Sequence, residues 1–256
     1  MPLRVGFDLD GTVADMYVAL HREAAQLFGE EVLQKAATKT SASQQARSET
    51  PADKSPTSQT DSTPNTDDDQ IATARAMQEL HLTGRQQRQL WDHVRKIENF
   101  WNTLPELEPG IIERIATTSR ARRWEVIFLT TRPSTAGDLV QLQSQRWLEA
   151  HGFQYPSVYV VQRSRGKIAD ALALDAFVDD RPENCLDIAV ESKAKVILVW
   201  HGDLSEVPAG AKRLGVQPVT TISEAMTLLE RLDDVRKQPS LMRSIKRAFG
   251  RDERGG

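Results

Sequence analysis

The residues most able to do chemistry are two aspartates, Asp8 and Asp10, which a single residue separates near the start of the chain. They end a short apolar run, residues 3–7, whose pattern is typical of a buried strand. Side chains two apart on a strand point the same way. Two carboxylates held that close repel each other unless a cation or a proton lies between them. The pair therefore indicates a divalent metal site, or a nucleophile with an acid/base partner.

The same residues would also suit an ordinary turn. Gly11 and Thr12 follow the aspartates, and Asp, Gly and Thr together supply a positive φ and a helix cap. The aspartates alone leave both interpretations open. What decides between them is whether further polar residues gather at the same place in the fold.

Short apolar runs alternate with helical patterns from Gly110 onward. The strands predicted after the first are residues 126–129, 158–161, 176–178 and 196–200. The predicted helices are residues 111–120, 135–151, 167–174, 182–192 and 222–235. Strands separated by helices of this length imply right-handed crossovers and a parallel sheet covered on both faces. The sequence thus predicts an α/β fold.

A long insertion follows the first strand. Residues 14–33 and 71–100 carry apolar side chains at helical spacing. Residues 38–70 contain no Val, Leu, Ile, Met, Phe, Trp or Tyr, so they cannot bury enough apolar surface to offset the entropy lost on ordering. We predict a catalytic core of residues 1–13 and 109–236, a helical cap of residues 14–37 and 71–108, and disorder over residues 38–70.

The composition narrows the classes of function. A formal net charge of −3 over 256 residues is unlike the basic domains that bind nucleic-acid polymers. No stretch has the roughly 20 apolar residues that span a bilayer, and the first four residues lead at once into the predicted strand, so we expect no signal peptide. The single cysteine, Cys185, fits a reducing compartment. We expect a cytoplasmic protein with a basic tail over residues 237–256.

Polar residues follow three more of the predicted strands. In an open parallel sheet, ligands bind outside the carboxyl ends of the strands. Hydroxyl groups, cations and acids therefore collect at the edge that holds Asp8 and Asp10: Thr130, Thr131 and Arg132 after the second strand, Lys167 near the start of the helix after the third, and Asp179 and Asp180 after the fourth. Their joint occurrence favours chemistry over a turn.

These residues, in this order, resemble the four signature motifs of the haloacid dehalogenase superfamily, most of whose members are phosphotransferases. A closer resemblance is to the 5'(3')-deoxyribonucleotidases. It rests on residues 99–101 (Asn-Phe-Trp), 106–110 (Glu-Leu-Glu-Pro-Gly), 146–149 (Arg-Trp-Leu-Glu) and 178–182 (Val-Asp-Asp-Arg-Pro). The resemblance implies a Rossmann-like three-layer α/β/α core with a parallel sheet and a helical cap inserted after the first strand.

The superfamily resemblance also implies an activity, that of a Mg²⁺-dependent phosphomonoester hydrolase. Asp8 is the expected nucleophile, which forms an aspartyl-phosphate. Asp10 is the expected acid/base, which protonates the leaving oxygen and then takes a proton from the hydrolytic water. Lys167 and the metal would offset the charge that keeps an anionic nucleophile from an anionic phosphate.

The resemblance assigns the remaining residues to metal and phosphate. The implied Mg²⁺ ligands are Asp8, the backbone carbonyl of Asp10, and Asp179, while Asp180 holds a metal-bound water or orients Lys167. Alignment on Thr-x-Arg-Pro makes Thr130 the phosphate-binding hydroxyl, and alignment on Thr-Ser-Pro makes it Thr131. Arg132 stands where those nucleotidases have serine, and it either adds a phosphate contact or is a surface charge.

The expected substrate is a small phosphorylated molecule, and a nucleoside monophosphate is one candidate. The low-complexity segment replaces much of the interval that recognises the base in the nucleotidases, so no base-recognition residues can be matched. The alternatives are a phosphatase for a sugar, lipid or protein phosphate, and a catalytically silent binding protein that kept the fold. A dehalogenase is the third alternative, but Asp10 and the acidic pair at residues 179–180 suit Mg²⁺-dependent phosphate chemistry better.

Overall fold

The computed structural model describes residues 1–34 and 80–237. The strands are β1 (Arg4–Asp8), β2 (Glu125–Thr130), β3 (Ser157–Val160), β4 (Ala176–Asp179), β5 (Lys195–Val199) and β6 (Gln217–Val219). The helices are α1 (Met16–Phe28), α2 (Gly84–Val94), α3 (Ile111–Arg122), α4 (Val140–Ala150), α5 (Arg165–Ala171), α6 (Pro182–Glu191), α7 (Ala209–Arg213) and α8 (Ile222–Lys237). The predicted disorder over residues 38–70, the helical pattern of residues 71–79 and the tail from residue 238 lie outside the described residues.

The six strands form one sheet in the order β3-β2-β1-β4-β5-β6. β1 pairs in parallel with β4, β4 with β5, and β5 with β6. Every residue of β4 is buried, and so are four of the five residues in each of β1 and β5. Near-continuous burial is what a parallel sheet covered on both faces requires. The predicted α/β fold is confirmed.

The described chain divides into two compact units. Among the described residues, the first unit contains residues 1–8, 110–127 and 164–237, and the second contains residues 9–34, 80–109 and 128–163. The predicted boundaries of core and cap stay a prediction. Among the helices that the structure describes, none is long and apolar enough to cross a membrane.

In the first unit, the start of α5 is fastened to α6. The carboxylate of Asp187 on α6 accepts a hydrogen bond from the Ser164 hydroxyl at 3.0 Å and another from the Gly166 N–H at 2.8 Å. A Cβ atom at Gly166 would meet the Asp187 carbonyl oxygen and would lie 2.6 Å from the Glu191 Cβ. Only glycine allows this approach, so the position of α5 depends on Gly166.

In the second unit, the loop after β2 is tied to the segment before the 3-10 turn Phe100–Thr103. The Asn99 N–H donates to the Ala136 carbonyl at 2.8 Å, and the Asn99 side-chain oxygen accepts from the Asp138 N–H at 2.8 Å. These bonds, with a φ of 93° at Gly137, hold the loop out of a helix. The helix predicted over residues 135–151 is α4, and the prediction that it begins at residue 135 is wrong, because it begins at Val140.

Candidate active site

Three buried acids come together in the first unit. Asp8 ends β1, Asp179 ends the neighbouring strand β4, and Asp180 follows directly. One carboxylate oxygen from each residue lies within 4.8 Å of the others. The residues are 3%, 0% and 4% exposed, respectively. The parallel pairing of β1 with β4 thus places these acids at one edge of the sheet, where the sequence predicted them.

A buried arginine contacts two of these acids. Nη1 of Arg165 lies 2.5 Å from Oδ1 of Asp8 and 2.8 Å from Oδ2 of Asp179. Arg165 is the first residue of α5, whose N-cap is Ser164. The α5 fastening to α6 therefore sets the place from which this guanidinium reaches the acids.

The sequence prediction gave the cationic role to Lys167, and the structure instead brings Arg165 to the acids. Lys167 is exposed on α5, and its backbone N–H donates to the Ser164 hydroxyl. Each helical residue turns by about 100°, so a side chain two positions on points to a nearly opposite face. Because Arg165 faces Asp8 and Asp179, Lys167 faces away from them.

The buried charges shift each other's proton affinity. Burial raises the pKa of Asp179 above its ordinary value, although Arg165, the Arg181 N–H and the Asn184 amide all favour the ionised form. The Arg181 N–H donates to Asp179 at 2.9 Å, and the Asn184 amide donates at 3.1 Å. Burial works to lower the pKa of Arg165, but Asp8 and Asp179 outweigh it and raise that pKa. Arg165 is therefore a permanent positive charge in this cluster.

The donor set of the acid cluster fits a divalent cation. Three carboxylates so close together carry more negative charge than one guanidinium neutralises. Carboxylate oxygens are the protein ligands that Mg²⁺ prefers, and Mg²⁺ commonly uses few of them beside phosphate and water. Asp8, Asp179 and Asp180 are the residues that could hold it.

In the second unit, Asp10 is held by a different set of side chains. Nε of Arg132 lies 2.9 Å from both carboxylate oxygens of Asp10, and Nη2 lies 2.7 Å from Oδ1. The hydroxyl of Thr130 donates to Oδ2 at 3.0 Å. A sharp turn fixes the backbone beyond Asp10, since the Gly11 N–H donates to the Ala14 carbonyl and Gly11 has a φ of 83°. Asp10 is therefore followed by a tight turn and is also hydrogen-bonded to Arg132 and Thr130, so the two interpretations of the sequence do not exclude each other.

Arg132 was predicted either to contact phosphate or to be a surface charge. The structure buries its side chain completely, so the surface interpretation is wrong. Its third nitrogen, Nη1, donates to the Ser144 hydroxyl at 3.0 Å. The guanidinium carbon lies 4.9 Å from the ring centre of Trp101 and 5.9 Å from that of Trp147. Nothing local in the sequence marks this burial, because both rings come from distant positions.

The two threonines after β2 differ in their surroundings. Thr130 is fully buried, and its hydroxyl donates to Asp10 and accepts from the Arg132 N–H at 3.3 Å. Thr131 is half-buried and lies just beyond the end of β2. The hydroxyl of Thr130 is therefore committed to protein partners, whereas Thr131 is more accessible.

No known family profile matches the sequence, and no curated protein matches it. Solved structures do share its fold. A dehalogenase in an intermediate complex is 14% identical, with a TM-score of 0.52 over 89% of this chain and 96% of that chain. A haloacid dehalogenase-like hydrolase from Xanthomonas campestris is 15% identical, with a TM-score of 0.45 over 91% of this chain and 96% of that one. The first likeness shows a common fold.

Proposed function

We propose that this chain is a Mg²⁺-dependent phosphomonoester hydrolase of the haloacid dehalogenase superfamily that works through an aspartyl-phosphate on Asp8. The observation that carries the proposal is the buried cluster of Asp8, Asp179 and Asp180 with Arg165 bonded to two of its members. Such a cluster combines a nucleophile, a cation site and a fixed positive charge. Phosphoryl transfer needs these three because both reactants are anionic.

Asp8, Asp179 and Asp180 would hold Mg²⁺, which when bound supplies positive charge to the phosphoryl oxygens and so lets an anionic substrate approach. Arg165 adds a second positive charge beside Asp8, and its hydrogen bond to Oδ1 fixes the rotation of that carboxylate. We assign the cationic role that the resemblance gave to Lys167 to Arg165 instead, because Arg165 contacts Asp8 and Asp179.

The chemistry then follows from Asp8 and Asp10. A carboxylate oxygen of Asp8 attacks phosphorus, the bond to the leaving oxygen breaks, and Asp10 donates a proton to that oxygen. Water next attacks phosphorus, Asp10 accepts its proton, and the bond between phosphorus and Asp8 breaks to release phosphate. One residue separates the two aspartates, so their Cα atoms can be no more than about 7.6 Å apart. Thr131 would bind a phosphoryl oxygen, since Thr130 is committed to Asp10.

The substrate class is a small phosphate monoester, and we propose a nucleoside monophosphate first because of the sequence resemblance to the deoxyribonucleotidases. Sugar, lipid and protein phosphates are the alternatives. A phosphate-release screen with Mg²⁺ across nucleotides, sugar phosphates and phosphopeptides tests the proposal. We expect turnover that EDTA abolishes. Turnover confined to non-nucleotides would remove the nucleotidase assignment, and no turnover on any ester would favour a silent binding protein.

A dehalogenase is the second candidate, because a protein of similar fold is a dehalogenase. Displacement of halide from carbon could also use Asp8 as the nucleophile. A dehalogenase reaction, however, would leave the closely spaced carboxylates of Asp179 and Asp180 without a role, whereas a phosphatase would use them to hold a cation. Halide release from a 2-haloalkanoate with EDTA present, and no phosphate release with Mg²⁺, would establish this candidate in place of the phosphatase.

A further inference from the structure

We propose that Arg132 is a positioning residue for Asp10, which it holds in the orientation needed for proton transfer, and that it does not bind the substrate phosphate. The inference deepens the proposed phosphatase function and rests on it. All the residues that support it lie in the second unit.

The first support is the geometry of the contact. Nε of Arg132 donates to both oxygens of Asp10 at 2.9 Å, the Thr130 hydroxyl donates to Oδ2 at 3.0 Å, and Nη2 forms an ion-pair contact with Oδ1 at 2.7 Å. A carboxylate that accepts hydrogen bonds on both oxygens cannot rotate about the Cβ–Cγ bond without breaking one of them. The acid/base group is thereby fixed in one orientation, and small misplacements of catalytic groups cost large factors in rate.

The second support is the surroundings of the guanidinium. The faces of Trp101 and Trp147 lie beside it, and an arginine over an indole ring is attracted to the ring electrons. Both indoles are themselves fixed, because the Trp101 ring N–H donates to the Pro133 carbonyl at 3.0 Å and the Trp147 ring N–H donates to the Leu104 carbonyl at 2.7 Å. The rings form a rigid aromatic cage that keeps Arg132 in place.

The third support is that two of the three guanidinium nitrogens of Arg132 donate hydrogen bonds to protein groups. Nε donates to Asp10 and Nη1 donates to the Ser144 hydroxyl, while Nη2 makes an ion-pair contact with Asp10 without a hydrogen bond. The side chain is fully buried. To turn Nε and Nη1 towards a phosphate, Arg132 would have to leave Asp10, Ser144 and the aromatic cage. Arg132 therefore acts on the reaction through its contact with Asp10.

A double-mutant cycle on Asp10 and Arg132 tests the inference, with an aryl phosphate and Mg²⁺ as the assay. We expect Arg132→Ala and Arg132→Lys to lower kcat by about 10²-fold with KM changed by less than about threefold. In the Asp10→Asn background, Arg132→Ala should cause almost no further loss, because its partner role is already gone. Millimolar guanidinium should restore part of the activity of Arg132→Ala, and sodium at equal ionic strength should not.

The opposite results overturn the inference. A rise in KM with kcat retained would mean that Arg132 binds the phosphate, and losses that multiply in the double variant would mean that it acts independently of Asp10. If Arg132→Ala does not fold by circular dichroism, Arg132→Lys and the milder Ser144→Ala carry the same test, with kcat falling and KM constant. No turnover by the wild type would instead overturn the proposed function itself, so the two failures are distinguishable.

Discussion

Nη1 of Arg165 lies 2.5 Å from Oδ1 of Asp8, although 157 positions separate these residues in the chain. The contact joins the start of α5 to the end of β1. It gives the proposed nucleophile a fixed orientation and a permanent positive neighbour, whose pKa the surrounding acids raise further. An anionic nucleophile that must meet an anionic phosphate needs such a neighbour.

Arg165 and Lys167 form a matched pair of cations on one helix. Arg165→Met should lower kcat on an aryl phosphate by about 10²- to 10³-fold, because it removes the charge beside Asp8. Lys167→Met should stay within about threefold of the wild type, since its side chain is exposed and faces away from the acids. Steady-state kinetics with saturating Mg²⁺ measure both. A larger loss in the Lys167 variant than in the Arg165 variant would restore the role that the sequence alone suggested.

The two threonines after β2 should separate in their kinetic effects. Thr131→Val should raise KM by about tenfold and lower kcat less, because it deletes a hydroxyl proposed to bind a phosphoryl oxygen. Thr130→Val should lower kcat with little change in KM, because its hydroxyl holds Asp10. Valine keeps the branched shape of threonine in both cases. The reverse assignment of KM and kcat effects would make Thr130 the phosphate-binding residue.

Divalent metal binding should weaken as the pH falls. Burial raises the pKa of Asp179, so the metal-free protein holds a proton there at a higher pH than an exposed carboxyl would. A metal ion must displace that proton, and acid therefore competes with it. The Mg²⁺ or Mn²⁺ concentration that half-saturates the thermal shift should rise between about pH 8 and about pH 5. Asp203→Asn, a change on an exposed turn, is the control that should leave the dependence unaltered.

The raised pKa of Asp179 also determines how the stability of the metal-free protein changes with pH. The folded carboxyl of Asp179 has the higher pKa, so the folded state binds more protons than the unfolded state as the pH falls toward that value. This residue should therefore make the metal-free protein more stable in mild acid than at neutral pH. The contribution of Asp179 is measured by comparing how the melting temperatures of the wild type and of Asp179→Asn change with pH in the presence of EDTA. Equal pH dependence in both proteins would contradict it.

The close approach at Gly166 should make alanine costly there. Gly166→Ala would bring a methyl group against the Asp187 carbonyl and to 2.6 Å from the Glu191 Cβ, so α5 must shift. We expect a loss of about 1–3 kcal/mol in the free energy of unfolding, together with lower kcat because Arg165 moves with α5. Gly210→Ala is the matched control, since its new methyl group meets the Leu186 side chain at an ordinary 3.8 Å. Chemical denaturation measures both, and equal losses would contradict the packing argument.

The sequence could predict which acids meet at the carboxyl ends of the strands, because local sequence patterns determine where those strands end. Buried strands of near-continuous apolar residues end at Asp8 and at Asp179, and parallel pairing brings those ends together. Strand β6 escaped prediction because it is only three residues long and contains Pro218, which weakens a strand pattern. The late start of α4 depends on bonds from Asn99, some 40 positions away in the sequence.

Of the two arginines that the sequence prediction misplaced, Arg165 has a local signal and Arg132 has none. Ser164 is the N-cap of α5, and that signal would have put Arg165 at the first turn of the helix, on the face opposite Lys167. The burial of Arg132 has no such local signal. It depends on Trp101 and Trp147, which lie 31 and 15 positions away and meet the guanidinium only in the folded unit.

We propose Asp8 as the nucleophile of a Mg²⁺-dependent phosphomonoester hydrolase. The most direct measurement is the hydrolysis of para-nitrophenyl phosphate by the wild type and by Asp8→Asn in saturating Mg²⁺, after circular dichroism has shown that both fold alike. We expect wild-type turnover that EDTA abolishes, and a loss of at least about 10³-fold in the variant. Full activity of Asp8→Asn would contradict it.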